Sequence, residues 1–225
     1  MLGRLEFVSG TRGQGEWADL HGLPVLRVQT DPEGCLGKRR LDRAGRFLYR
    51  SGAARVLLPP GFDRWELLKK FSLRPVDPAP FLRARAPELA LAGLKRRDVA
   101  PERATVALVG RRADGEMARA AVRLCRDVRR LVIAAPGGEA LARGLREEFG
   151  IPVLPPEQPA EMELCFHPGA RTGTGPRMEL YGLQPELDGG SLTFPALGEE
   201  EGGDLCLLCA LWERGRLDVQ GLKFM

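Results

Sequence analysis

The chain has no long apolar run, and within its 225 residues none approaches the about 20 consecutive apolar residues that a membrane-spanning helix requires. The opening residues, Met-Leu-Gly-Arg-Leu-Glu-Phe, also lack the apolar core of a secretory signal peptide. Hydrophobic and charged contents of 44% and 28% are ordinary for a soluble globular protein. We therefore expect a cytoplasmic protein with no membrane partner.

The number of cysteines in the chain is odd. The five cysteines are Cys35, Cys125, Cys165, Cys206 and Cys209. Most lie in apolar segments, which favours reduced thiols in a cytosol over a disulfide framework. Cys206 and Cys209 have the spacing of a redox or zinc motif, but no second Cys or His pair lies nearby to complete four zinc ligands. We predict core thiols and no metal site.

Several catalytic signatures are absent: the chain contains no P-loop, no G-x-S-x-G turn and no H-E-x-x-H helix. The classes of hydrolase that depend on those motifs are therefore not indicated. Histidine is also scarce, with two in the chain. His21 lies in a predicted turn without catalytic neighbours, whereas His167 follows a buried strand.

The charge is uneven and comes mostly from arginine, with 29 Arg against 5 Lys. Residues 1–105 hold 20 Lys and Arg against 12 Asp and Glu, and the remainder holds 14 against 18. A basic first half is compatible with an acidic partner. Because Ala, Gly and Pro are also abundant, we favour a GC-rich coding bias as the cause.

The most basic segment is a helix predicted over residues 38–51. Its apolar positions recur at helical spacing on one side: Leu41, Ala44, Phe47 and Leu48. Its arginines form a stripe about 40° wide on the other: Arg39, Arg43, Arg46 and Arg50. Such a stripe can contact phosphates. No aromatic residue is interleaved and no nucleic-acid motif accompanies it, so we favour a solvated helix face and disfavour a nucleic-acid partner.

The other elements predicted before residue 103 alternate between strand and helix. The strands are predicted at residues 4–8, 24–28, 55–58 and 73–76, and the helices at residues 65–71 and 87–97. Residues 9–19 are rich in glycine and polar side chains, which predicts a loop. We interpret residues 1–102 as a smaller α/β region in front of the second half.

Residues 105–136 are the clearest βαβ unit of the chain. A strand at 106–109 leads through Gly110 into a helix that Asp114 can cap. The apolar run at 131–135 is almost continuous, which marks a strand buried on both faces of a parallel sheet.

The elements that follow extend this unit. They are a helix at 139–149, strands at 151–154 and 162–166, a glycine-rich loop at 170–176, strands at 177–181 and 191–194 as a hairpin-like addition at the sheet edge, an acidic turn at 198–203 and a helix at 204–214. The order β-α-β-α-β-β is that of a mononucleotide-binding half of a doubly wound sheet. The fold class is therefore α/β, with a Rossmann-like, mainly parallel sheet in a domain of residues 103–225.

This arrangement resembles the Rossmann-type domains of the shikimate dehydrogenase and glutamyl-tRNA reductase group. The likeness covers roughly residues 88–169 and depends on the element order, on residues 106–110 and on the turn His167-Pro168-Gly169. The resemblance implies an NAD(P)-type cofactor at the turn after the first strand.

The dinucleotide fingerprint at that turn is incomplete. G-x-G-x-x-G would follow the first strand, and Gly110 and Gly115 fill its first and third positions. Arg112 stands at the second, where a side chain would obstruct the pyrophosphate. At the end of the second strand, Ala134 and Ala135 stand where an acid would bind the ribose. We therefore disfavour ordinary NAD(P) binding.

Two other features of this edge bear on function. Arg111 and Arg112 can hold a small anion beside a helix N-terminus, as can Gly137 and Gly138, although both pairs also suit plain turns. His167 lies beyond a strand end and can act as a general acid or base, or be a polar loop residue. The sequence thus predicts a degenerate Rossmann-like scaffold or small-anion sensor. The alternative is an NAD(P)-dependent oxidoreductase with a non-standard phosphate turn.

Overall fold

Strands and helices alternate along most of the chain. The computed structural model describes residues 1–11, 14–59, 61–169 and 175–225. In chain order the elements are β1 (Leu2–Phe7), β2 (Gln14–Leu20), β3 (Leu23–Thr30), α1 (Gly37–Arg50), β4 (Arg55–Leu57), α2 (Glu66–Lys69), β5 (Arg74–Pro75), α3 (Ala79–Ala84), α4 (Ala86–Arg96), β6 (Thr105–Val109), α5 (Gly115–Leu124), β7 (Arg130–Ala134), α6 (Gly138–Phe149), β8 (Val153–Leu154), β9 (Met162–Cys165), β10 (Arg177–Glu179), β11 (Leu192–Thr193), α7 (Gly198–Gly202), α8 (Leu205–Glu213) and β12 (Lys223–Phe224).

These elements form two compact units. The first comprises Met1–Asp77 and Ala196–Gly221, and the second comprises Pro78–Pro195 and Leu222–Met225. The division differs from the one predicted at residues 102 and 103. The reason is that α3 packs on α5, while α4 packs on both α5 and β9, so these two helices belong to the second unit.

The first unit is built on a five-stranded sheet in the order β2-β3-β1-β4-β5. β1 runs parallel to β3 and β4, and β4 runs parallel to β5, whereas β2 is antiparallel to β3. Buried leucines of α1 and α2 form a core with Leu5, Val28 and Val56 of the sheet. The loop predicted at residues 9–19 is wrong over its second half. β2 is an edge strand with mostly exposed side chains, so it lacks the apolar alternation that marks a strand.

The second unit holds the predicted Rossmann-like sheet. Its five strands are all parallel and lie in the order β10-β9-β6-β7-β8. Counted from β6, this order is 5-4-1-2-3, which read from the other edge is the 3-2-1-4-5 part of the classic doubly wound order. The α/β class with a mainly parallel sheet is confirmed. Because β7 and β9 flank β6, the reversal in strand order lies between the carboxyl ends of β6 and β9.

The last segments differ in part from their predictions. β10 joins the sheet edge in parallel to β9, but β11 pairs with β12 in a separate antiparallel ribbon instead of a hairpin with β10. The acidic turn predicted at 198–203 contains the short helix α7. Most of the glycine-rich loop predicted at 170–176 lies outside the described residues. In the part of the chain that the structure describes, no helix has both the length and the apolarity to cross a membrane.

Candidate functional site

The turn after β6 lies at the carboxyl edge of the second sheet, against the loop that follows β7. The backbone N–H of Gly110 donates to the carbonyl of Ala134 at 3.1 Å, and that of Ala113 donates to the carbonyl of Pro136 at 3.0 Å. The candidate residues of the two turns, at 110–115 and at 137–138, are therefore brought together at one edge. Parallel strands cause this, because their carboxyl ends meet at the same side of a sheet.

The two fingerprint glycines differ in what surrounds them. A Cβ at the buried Gly110 would lie 2.7 Å from Cε of Met117 and 3.6 Å from Cβ of Phe166. A Cβ at the exposed Gly115 would meet only Nη1 of Arg119 within 4 Å, at 3.7 Å. The absence of a side chain at Gly110 thus lets the turn pack closely on α5. At Gly115, by contrast, no part of a strand packs closely against the helix.

Carboxylates occupy the N-terminus of α5. Oδ1 of Asp114 accepts the backbone N–H groups of Glu116 and Met117 at 3.1 and 3.0 Å, so the predicted cap is confirmed. The Glu116 side chain adds a second negative charge in the first turn. In a dinucleotide-binding domain these free N–H groups and the positive end of the helix dipole receive a pyrophosphate. Here the chain supplies its own anions at that position.

We expect Asp114→Ala to lower the free energy of unfolding by about 1 kcal/mol, because two N–H groups of α5 lose their acceptor. Asp114→Asn is the control, since asparagine caps helices about as well as aspartate. Urea unfolding of the three proteins measures the difference. Equal midpoints for Asp114→Ala and the wild type would contradict the capping role.

Arg111 and Arg112 are exposed in the turn. Within the described ranges neither side chain makes a hydrogen bond or ion pair. The adjoining helix α6 begins after Gly137, whose φ of 78° is left-handed, and no side chain caps its first N–H groups. A Cβ at Gly138 would lie 2.7 Å from Cγ2 of Ile133, so only glycine fits there without displacing that side chain. Two unpaired guanidinium groups and an uncapped helix start thus share this edge.

His167 lies just beyond the carboxyl end of β9, at the reversal in strand order. Its ring is half-buried, and its Nδ1–H donates to the carbonyl of Pro168 at 2.7 Å. In the neutral form of the ring, that bond makes Nε2 the nitrogen that carries the lone pair. Cys165 lies two residues earlier in a buried cluster with Ala107, Val109 and Val132.

Arg83 of α3 is a further residue of this edge, and the sequence did not indicate it. Its Nη2 and Nε donate to the carbonyls of Phe166 and Leu180 at 2.8 and 3.1 Å. Its Nη1 donates to Oε2 of Glu116 at 3.0 Å. One guanidinium therefore ties the chain after β9 and after β10 to the first turn of α5. The sequence carried one signal for this helix, Pro78 before a short apolar run at 79–82, and no helix was predicted from it.

No family model matches this chain, and no curated protein matches it in sequence. Among solved structures, the L-tryptophan dehydrogenase of Nostoc punctiforme is 16% identical with a TM-score of 0.31, over 64% of this chain and 44% of that one. The ornithine carbamoyltransferase of Pyrococcus furiosus is 15% identical with a TM-score of 0.27, over 73% and 58%. An arylmalonate decarboxylase is 14% identical with a TM-score of 0.24, over 68% and 86%.

The matched region thus spans about half the length of the first two of these proteins. Similarities this weak carry no argument about chemistry.

Tyr181, beside the Cys165 cluster, carries a testable electrostatic feature. Its hydroxyl donates to Oε1 of Glu179 at 2.9 Å. Burial, and then the hydrogen bond to that carboxylate, raise the pKa of Tyr181 from 10.0 to about 12. Since the folded value lies above the unfolded one, this stabilisation is complete below pH 10 and is lost as the pH rises toward 12.

We expect an ultraviolet pH titration of tyrosinate in the folded protein to show one late ionisation, at about pH 12. Tyr181→Phe should remove that step and leave the signal of Tyr49, the other tyrosine of the chain. A titration in which Tyr181→Phe removes an ionisation near the ordinary pKa would contradict the assignment.

The arginine stripe lies in the first unit. Arg39, Arg43, Arg46 and Arg50 are all exposed on α1, and Arg46 pairs with Asp42 at 3.3 Å. Phe47, predicted on the buried side, is 38% exposed. Its ring edge lies over Gly15 of the edge strand β2, where a Cβ would collide with it. The helix core therefore comprises Leu41, Ala44 and Leu48 without Phe47.

The C-x-x-C pair lies in α8, with Cys209 buried and Cys206 half-buried. Burial, and then the negative charge of Asp204, raise the pKa of the Cys206 thiol to about 12. A thiol with that pKa supplies almost no thiolate near neutral pH, and the thiolate is the form that ligates metals. Among the described residues, no group of three His, Cys, Asp or Glu side chains could hold a metal ion.

Proposed function

We propose that the second unit is a degenerate, non-catalytic Rossmann-like module that senses a small anion and takes no dinucleotide at its first turn. The observation that carries the proposal is the pair of carboxylates at the start of α5. Asp114 already accepts the N–H groups of Glu116 and Met117, which a pyrophosphate would need. A pyrophosphate placed there would also face the negative charge of Asp114, whereas the charge of Glu116 is paired with Arg83.

Two further features support the exclusion of a dinucleotide. Arg112 adds a Cβ and a long side chain at the position where the fingerprint requires a glycine. β7 ends at Ala134 and is followed by Ala135, so no acid stands at the strand end to bind ribose hydroxyls. In this proposal the glycine at position 110 is explained by its packing against Met117.

A small anion suits the same edge better. Arg111 and Arg112 are exposed and unpaired among the described residues, and charge-assisted hydrogen bonds to an oxyanion would satisfy them. The bond from Ala113 to Pro136 holds their turn against the uncapped start of α6. Glu139 in the first turn of α6 offsets part of this attraction, which favours weak and reversible binding suited to a sensor.

Titration calorimetry with inorganic phosphate and pyrophosphate tests this proposal. We expect saturable binding to the wild type and at least about tenfold weaker binding to Arg111→Ala/Arg112→Ala, since each lost bond to a charged group is worth about 1.5–3 kcal/mol. The matched control is Arg143→Ala/Arg146→Ala, which removes the same charge from exposed positions of α6. If both double variants weakened anion binding equally, the loss would come from net charge alone and the proposed site would be refuted.

A second candidate is an NAD(P)-dependent oxidoreductase in which the cofactor adopts a non-standard pose. The observation that favours it is His167, whose Nε2 is available at the reversal in strand order. The resemblance to the shikimate dehydrogenase and glutamyl-tRNA reductase group is part of this candidate and stays a prediction. Saturable NADPH binding, with hydride transfer from NADPH to an added carbonyl compound that disappears in His167→Ala, would favour this candidate over the anion sensor.

A further inference from the structure

The first unit contains a cavity of about 680 Å³ near the amino ends of β1, β3 and β4. Pockets of about 300–1,000 Å³ are typical of small-molecule sites. Apolar side chains form one part of its wall, among them Leu2, Leu23, Pro24 and Ala210. This cavity belongs to the first unit alone and is separate from the edge at which the small anion is proposed to bind.

Trp17 of the edge strand β2 also lines this cavity, and its side chain is 60% exposed. A tryptophan ring is the largest apolar surface that a side chain offers, and burial of such a ring is favourable. An indole left open beside a pocket is therefore a ready contact for an apolar ligand.

The charges around the cavity do not balance. Arg55 and Glu213 satisfy each other through two bonds of 2.5 and 3.1 Å. Arg214 and Arg216 line the same cavity, and among residues 1–11, 14–59, 61–169 and 175–225 neither has a hydrogen bond or ion pair from its side chain. Two positive charges therefore face the cavity without a carboxylate partner.

The end of α8 fixes the backbone that carries these two arginines. Gly215 has a left-handed φ of 64°, its N–H donates to the carbonyl of Trp212 at 2.9 Å, and the N–H of Arg216 donates to Leu211 at 2.8 Å. This is the hydrogen-bond pattern of a Schellman motif, which defines the backbone where a helix ends. The Arg216 side chain then lies against Gly22, in the turn before β3. A Cβ added to Gly22 would lie 3.7 Å from that side chain.

We propose that this cavity binds an organic oxyanion with an apolar body. The oxyanion would pair with Arg214 and Arg216, and the apolar body would cover Trp17, Leu23 and Pro24. Guanidinium groups favour carboxylate and phosphate, because two parallel N–H donors match two oxygens. A small ion such as acetate lacks the apolar part, and an apolar amine is repelled by the two arginines.

Nuclear magnetic resonance of the three tryptophan indole N–H groups tests this proposal on the full chain. Trp17→Phe assigns the Trp17 signal. The probes are hexanoate, hexan-1-ol, hexylamine and acetate. We expect hexanoate to shift the Trp17 signal saturably, hexan-1-ol and acetate to bind at least about tenfold more weakly, and hexylamine to have no effect, since the pairing with arginine supplies the selectivity. An unmoved Trp17 signal, or equal affinity for hexanoate and hexan-1-ol, would overturn the proposal.

Two double variants then test which arginines pair with the carboxylate of hexanoate. Arg214→Ala/Arg216→Ala should weaken hexanoate binding at least about tenfold, because it removes the groups that pair with the carboxylate. The matched control is Arg39→Ala/Arg43→Ala, which removes two exposed arginines of α1 in the same unit that have no side-chain partner among the described residues, and it should leave the affinity unchanged. Unchanged affinity in Arg214→Ala/Arg216→Ala would overturn the proposal, and the comparison of probes on the wild type requires no variant to fold.

Discussion

Arg83→Ala is expected to lower the free energy of unfolding of the second unit by about 2–3 kcal/mol, since hydrogen bonds to charged groups contribute about 1.5–3 kcal/mol each and partial exposure reduces their sum. The side chain is 25% exposed and donates to the carbonyls of Phe166 and Leu180 and to Glu116. Its loss would release the chain after β9 and β10 from α5. Those segments carry His167 and border the turn after β6.

Urea unfolding, followed by a probe of the second unit such as amide exchange on β6 and β9, measures this loss. Arg83→Lys should recover only a minor part, because a single ammonium group lacks the planar fork that reaches all three acceptors. Arg119→Ala is the matched control, since Arg119 is exposed on the adjoining helix α5. If Arg83→Ala and Arg119→Ala unfold at the same midpoint, the hydrogen bonds of Arg83 contribute nothing to the stability of this edge.

Gly93→Val is expected to destabilise the second unit by about 1–3 kcal/mol, which is typical of overpacking in a filled core. A Cβ at Gly93 of α4 would lie 2.6 Å from Cε of Met162 and 2.5 Å from Cε of Met178. Both methionines lie on strands of the second sheet. The substitution therefore tests directly whether α4 packs on that sheet, although it precedes the boundary predicted at residues 102 and 103.

Gly144→Val is the matched control for this prediction. Gly144 also lies within a helix, α6, but a Cβ there would meet no atom within 4 Å. Both variants replace a helical glycine by the same β-branched residue, so propensity effects cancel. Equal stability of Gly93→Val and Gly144→Val, or a loss confined to amides of the first sheet, would contradict the packing of α4 on β9.

The second sheet could be predicted from the sequence because its signals are local. β6 and β7 are continuous apolar runs, Asp114 caps α5 through its own neighbours, and Gly137 and Gly150 bound α6. The edge strand β2 and the placement of α3 and α4 could not be predicted in this way. Pairing of β2 uses backbone groups, and the partners of the two helices are determined by tertiary packing.

The candidate site was predictable only in part, for a similar reason. The fingerprint positions and the two arginines can be located by counting from a strand end, and parallel strands bring their turns together. Arg83 and Glu116 could not be identified in this way, since their significance lies in a contact between residues 33 positions apart in the chain. Asp114 was recognised as a cap, but its consequence for anions at α5 depends on which N–H groups it occupies.

The central claim is that the carboxylates at the start of α5 leave no place for a dinucleotide pyrophosphate. Titration calorimetry of the wild type with NADH and NADPH tests it most directly. We expect no saturable binding up to about 1 mM, which corresponds to a binding free energy weaker than about 4 kcal/mol in magnitude. Saturable micromolar binding of either cofactor, abolished by Gly110→Trp, would contradict the claim.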